Sequence, residues 1–124
     1  MTSLQGQISK TIAELVFGVL APNLLHYINS SITTRDGEVL SSQQAFDRAV
    51  KEDKDILLLI ERYRPSYIAY INRAKRIRNY IKWDSAYFTS LLVNYLQENG
   101  IQINEEGRNY IYRTVERFRN RIYS

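Results

Sequence analysis

Phe88, Leu91, Leu92, Tyr95 and Leu96 fall on a single stripe of a 3.6-residue period. A strand would place residues of that spacing on both faces, so the segment has to be a helix with one buried side. The same period returns along the chain. Leu4, Ile8, Ile12, Leu15 and Val19 mark a first helix, and Ala45, Phe46, Ala49 and Val50 another. Tyr67, Tyr70, Ile71, Ala74, Ile77 and Ile81 share one broad face, as do Ile111, Val115, Phe118 and Ile122. The pattern predicts an all-α fold, a compact bundle of five or six helices in one domain over residues 1–124.

Capping and breaking residues set the expected boundaries. Pro22 should kink or break the first helix, with Asn23 to Ile32 as a second piece. Ser41 or Ser42 caps the next helix, which either continues to Tyr63 or gives way at Asp53 to a separate helix, Asp55 to Tyr63. Arg64-Pro65 is a break that opens a helix from Ser66 to Trp83. Asp84 caps a further helix that Gly100 ends, and Asn104 caps the last one, with Glu105 and Glu106 in its positive first turn. Asp36-Gly37 supports at most a minimal β-hairpin between Ser31–Thr34 and Glu38–Leu40. From Val16 to Leu20 the first helix is apolar nearly all round, which suits a central place in the bundle or a subunit contact.

With 124 residues, 44% of them hydrophobic, the chain has enough apolar mass for its own core. It has no cysteine, so disulfides, thiolate chemistry and cysteine-based zinc or iron–sulfur sites are excluded. The stretch Ile12 to Ile28 contains Glu14, Pro22, Asn23 and His26 and is neither a signal peptide nor a membrane span, so an intracellular protein is expected. Charge is uneven. Residues 1–60 carry five basic and seven acidic side chains, and residues 61–124 twelve and six. The second half, at +6, is the part suited to a polyanion or an acidic partner.

Two basic stripes carry that charge. On the last helix Arg113, Arg117 and Arg121 recur at i, i+4 and i+8 with Tyr110 beside them, while Arg108 and Arg119 take the other flank with Tyr112 and Tyr123. Guanidinium forks match phosphate geometry, although pairing of these arginines with Glu116 or other carboxylates would also account for them. On the helix from Ser66 to Trp83, Lys75, Arg78 and Lys82 recur at i, i+3 and i+7, with Arg73 and Arg76 pointing elsewhere. Ten tyrosines, six of them between Tyr63 and Tyr95, add aromatic surface. Tyr95 to Glu106 resembles the turn of a helix-turn-helix, yet Glu105 and Glu106 at the reading end would repel phosphate.

No catalytic constellation stands out. The one histidine, His26, sits among apolar residues where packing is expected, and Glu52, Asp53 and Asp55 are interleaved with Lys51 and Lys54. There is no phosphate-binding glycine loop or nucleophile elbow, and no metal, cofactor or small-molecule substrate is implied. The expected function is non-enzymatic binding of nucleic acid through its backbone, duplex in preference to single strand. Lys75, Arg78, Lys82, Arg108, Arg113, Arg117, Arg121 and Tyr110 are the candidate contacts. The rival is a protein-interaction or assembly subunit docking on an acidic protein surface: an inhibitor of a larger complex, or a self-associating building block of a nucleoprotein filament. The composition has the flavour of a viral or mobile-element protein.

Overall fold

The computed structural model describes residues 4–30, 32–33 and 36–124, with side chains described from residue 14. These residues form six α-helices: α1 (Leu4–Ser30), α2 (Ser42–Glu52), α3 (Ile56–Tyr63), α4 (Pro65–Ile77), α5 (Ser85–Glu98) and α6 (Glu105–Tyr123). A 3₁₀ turn, Arg78–Tyr80, follows α4. Helices α2, α3, α4 and α5 each pack against both α1 and α6. The all-α bundle expected from the periodicity is the observed architecture. Of the expected hairpin, Ser31 and Thr34 lie outside the described residues, and among those described one isolated bridge, Thr33 to Val39, joins the two sides of the Asp36-Gly37 turn.

Boundary chemistry is mostly as the sequence indicates. Ser41 and Gln44 form a reciprocal capping box on α2. Asp84 caps α5 through the Tyr87 amide, and Asn104 caps α6 through the Gly107 amide. Gly100 takes the left-handed conformation that ends α5, at φ +87°. The α2–α3 question resolves as two helices, but the cap of α3 is Asp55, whose carboxylate accepts from the Leu57 amide. Asp53 is instead the C-terminal cap of α2, in left-handed backbone at φ 47°.

Three expectations are overturned. Helix α1 is not broken at Pro22 but runs on to Ser30. An internal proline costs about 3 kcal/mol, but Leu20, Ala21 and Leu24 are buried around an exposed Pro22, and each large apolar side chain so buried returns roughly 1.5–3 kcal/mol. Asn23 also donates its side-chain amide to the Val19 carbonyl at 2.7 Å, next to the Gly18 carbonyl that the proline leaves without an amide partner. Helix α4 stops at Ile77 rather than Trp83, and the end of α6 binds the backbone just beyond it. The Tyr123 hydroxyl donates to Arg78 O at 2.9 Å and Ile81 O at 3.1 Å, and Arg78 reaches back toward the last carbonyls of α6. His26 lies on the exposed side of α1, not in the core. Of the two places open to Val16, Phe17 and Leu20, the bundle is the one observed. Val16 and Leu20 are buried, and Phe17 packs edge-on against Tyr95 at 6.3 Å.

Two helical glycines predict opposite outcomes. A Cβ at Gly18 meets nothing, so Gly18→Ala is expected to raise stability by about 0.5–1 kcal/mol through helix propensity. A Cβ at Gly107 comes within 3.2 Å of both Ile103 and Phe46. Overpacking costs about 1–3 kcal/mol, so Gly107→Ala is expected to lower stability despite the same propensity gain. Urea denaturation of both variants checks the pair, and a stabilised Gly107→Ala would show that α2 and α6 can separate freely.

Candidate nucleic-acid interface

The arginine stripe of α6 faces the α2–α3 junction. Arg113 and Arg117 both reach the Asp53 carboxylate at 3.3 Å. Arg121 pairs with Asp55 at 3.1 Å, with Glu61 of α3, and with the Arg117 carbonyl at 3.2 Å. Pairing with carboxylates elsewhere in the fold therefore accounts for this stripe, and the partners are Asp53, Asp55 and Glu61 rather than Glu116. Desolvation pushes the Asp53 carboxyl up, but Arg117 and Arg113 outweigh it and hold the group below its ordinary value of 3.8. A depressed carboxyl contributes stability above its unfolded value, so this arm persists at neutral pH and is lost only as pH falls below 3.8.

Tyr110 cannot serve as a surface contact. It is fully buried, its ring stands edge-on to Phe46 at 6.2 Å, and its hydroxyl donates to the Lys54 carbonyl at 2.7 Å. The helical wheel places it beside the arginines, but α2 and the Lys54 turn cover that edge of α6. Arg108 is exposed and donates to the Ser90 hydroxyl at 2.9 Å.

The second stripe is redistributed by the early end of α4. Arg78 is half-buried, 3.5 and 3.4 Å from the carbonyls of Ile122 and Ser124, where a cation complements the C-terminal end of α6. Lys75 is half-buried on the flank of α4, and Lys82 is exposed in the connection that follows. Of the eight candidate contacts, Tyr110 is therefore buried, Arg113, Arg117 and Arg121 are paired with carboxylates, and Arg78 is turned onto the end of α6.

What the structure brings outward instead is the side of α4 that carries Arg73 and Arg76. Tyr70, Arg73 and Arg76 are exposed on α4, and Tyr80 and Lys82 are exposed just beyond its end. Tyr70 is 41% exposed and Tyr80 63%, and the Arg73 guanidinium sits 5.7 Å from the Tyr70 ring centre. At the end of α3, Arg62 lies similarly over the exposed Tyr63 at 5.6 Å. Among the described residues no carboxylate pairs with Arg62, Arg73, Arg76 or Lys82. The sequence holds a signal for this face that stripe counting misses. From Arg62 to Trp83 there are seven basic residues and not one Asp or Glu, and of the flanking carboxylates Glu61 pairs with Arg121 and Asp84 caps α5.

Elsewhere the surface is less biased. A cavity of about 680 Å³ between the end of α1, α2 and α3 is lined by Arg48, Glu52 and Lys54 together with Tyr27, Leu59 and Tyr63. Lys54 and Glu52 pair there at 2.9 Å, so no single charge dominates. Among the described residues no cluster of three or more His, Asp or Glu could hold a metal ion, and no helix is long and apolar enough to cross a membrane. Comparison with protein-family models, with curated proteins and with solved structures gives no match, so a functional reading rests on this geometry.

Proposed function

We propose that the protein binds nucleic acid non-enzymatically through the phosphate backbone, on the outer face of α4 and the turn after it. The observation that carries the reading is the run from Arg62 to Trp83, in which exposed Arg62, Arg73, Arg76 and Lys82 have no carboxylate partner among the described residues. Unneutralised cations on a convex helix attract phosphate at long range and release its condensed counterions on contact. Arg113, Arg117 and Arg121 of α6 contribute little to this, because their charge is already spent on Asp53, Asp55 and Glu61.

Affinity for an oligonucleotide should therefore fall steeply with salt. Replacing Arg73, Arg76 and Lys82 together with glutamine is expected to flatten the log–log slope by about 2 units on single strands and nearer 3 on duplex. Circular dichroism should be unchanged, since these side chains are exposed. A wild-type protein with no salt-dependent binding overturns the reading. A second reading, docking of the same face on an acidic protein surface within an assembly, is favoured by Ile68, an exposed apolar residue on this helix. Tyrosine and arginine are the residues that anchor protein interfaces, so this reading gains if nucleic acid is not bound.

A further inference from the structure

Resting on that reading, we infer that the α4 face selects single-stranded over duplex nucleic acid, with unstacked bases lying on the rings of Tyr70 and Tyr80 and the phosphates meeting Arg73, Arg76 and Lys82. A duplex turns its base faces inward and offers a protein only phosphates and base edges. On a duplex only the tyrosine hydroxyls can reach phosphate, whereas an unpaired base can stack on the whole ring. This reverses the duplex preference that the basic stripes alone suggest, and the reason is where the rings sit. Tyr70 is exposed on α4 and Tyr80 in the 3₁₀ turn that follows it, with Arg73 and Arg76 between them in the chain. A strand of several nucleotides can reach both rings while its phosphates follow the cations.

The platform is held in shape from behind. Helix α4 is anchored by buried Tyr67, Ile71 and Ala74 on its inner face. The turn carrying Tyr80 is fixed by the Tyr123 hydroxyl on Arg78 O and Ile81 O, and by Arg78 reaching toward Ser124 O. The Arg73 guanidinium beside Tyr70 steadies that ring and offers a second planar surface for a base. Rings fixed in advance lose little freedom on binding. Charge complementarity names the occupant, because the segment holds seven cations and no carboxylate.

The test is fluorescence anisotropy with an unstructured single-stranded oligonucleotide and a duplex of equal phosphate count, across a salt series. Wild-type protein is expected to bind the single strand about tenfold or more tightly. Tyr70→Ala with Tyr80→Ala should weaken single-strand binding at least tenfold with an unchanged salt slope, while Tyr70→Phe with Tyr80→Phe retains it. Both tyrosines are exposed, and far-ultraviolet circular dichroism of the variants confirms that the helices persist. Salt-dependent binding of both forms with equal affinity, untouched by the alanine changes, overturns the single-strand assignment and leaves the phosphate reading standing. No salt-dependent binding of either form overturns both.

Discussion

Replacing Arg121 with methionine is expected to destabilise the protein by about 2–3 kcal/mol, whereas Arg113→Met should cost less than about 1 kcal/mol. The two arginines belong to the same stripe but not to the same environment. The Arg121 side chain is 17% exposed and sits between Asp55 and Glu61, themselves largely covered. Removing it leaves two carboxylates facing one another with little water. Breaking a fully buried pair costs about 3–5 kcal/mol, and the residual exposure here lowers that figure. Arg113 is 46% exposed beside a half-exposed Asp53, where solvent screens the loss and Arg117 remains. Urea denaturation measures both. Equal losses would show that Arg121 is a surface pair after all. A double-mutant cycle adds a second reading, since Glu61→Gln in the Arg121→Met background should recover part of the loss by removing one orphaned charge.

That contrast explains how much of the candidate site was legible from the residues. The α6 stripe is real as a helical pattern: Ile111, Val115, Phe118 and Ile122 are buried as the spacing requires. What spacing cannot show is which carboxylates tertiary folding brings to the outer residues. Asp53, Asp55 and Glu61 lie some sixty residues from their arginine partners in sequence. Tyr110 fails for a related reason, because a wheel gives an angle around one helix and not the neighbour that covers it. On α4 the periodicity places Tyr70 on the inner face, yet the ring is exposed, and Arg73 and Arg76, set aside by the stripe at Lys75, Arg78 and Lys82, occupy the accessible side. Caps at Ser41, Asp84 and Asn104 were readable because each acts within three residues of itself. The end of α4 was not, since the contacts on the backbone just beyond it come from Tyr123 at the far end of the chain.

Phe118→Ala is expected to cost about 3–5 kcal/mol, the largest loss of any change considered. Phe118 is buried where α6 meets the back of α4 and the start of α5. Its ring centre lies 6.2 Å from Tyr67 and 6.1 Å from Trp83, and Trp83 continues the cluster to Phe88 at 4.7 Å and Tyr123 at 6.2 Å. Truncation leaves a ring-sized void that these neighbours cannot fill without moving, because Tyr67 is itself buried and Trp83 is tied to Ser85 by its indole N–H at 3.0 Å. Domains of this size are held by about 5–15 kcal/mol, so the change removes a large share of the total. Phe118→Leu, which keeps most of the volume, should cost only about 1.5 kcal/mol. Trp83 is the only tryptophan, so its emission follows both variants through a urea titration. A loss for Phe118→Ala below about 1 kcal/mol would show that the cluster repacks and that α4 is not fixed from behind. Because Phe118 supports the α4 face without belonging to it, Phe118→Leu should leave the salt slope of oligonucleotide binding unchanged. A slope altered to match that of the Arg73, Arg76 and Lys82 replacements would mean instead that the cations are positioned by this packing, not by α4 alone.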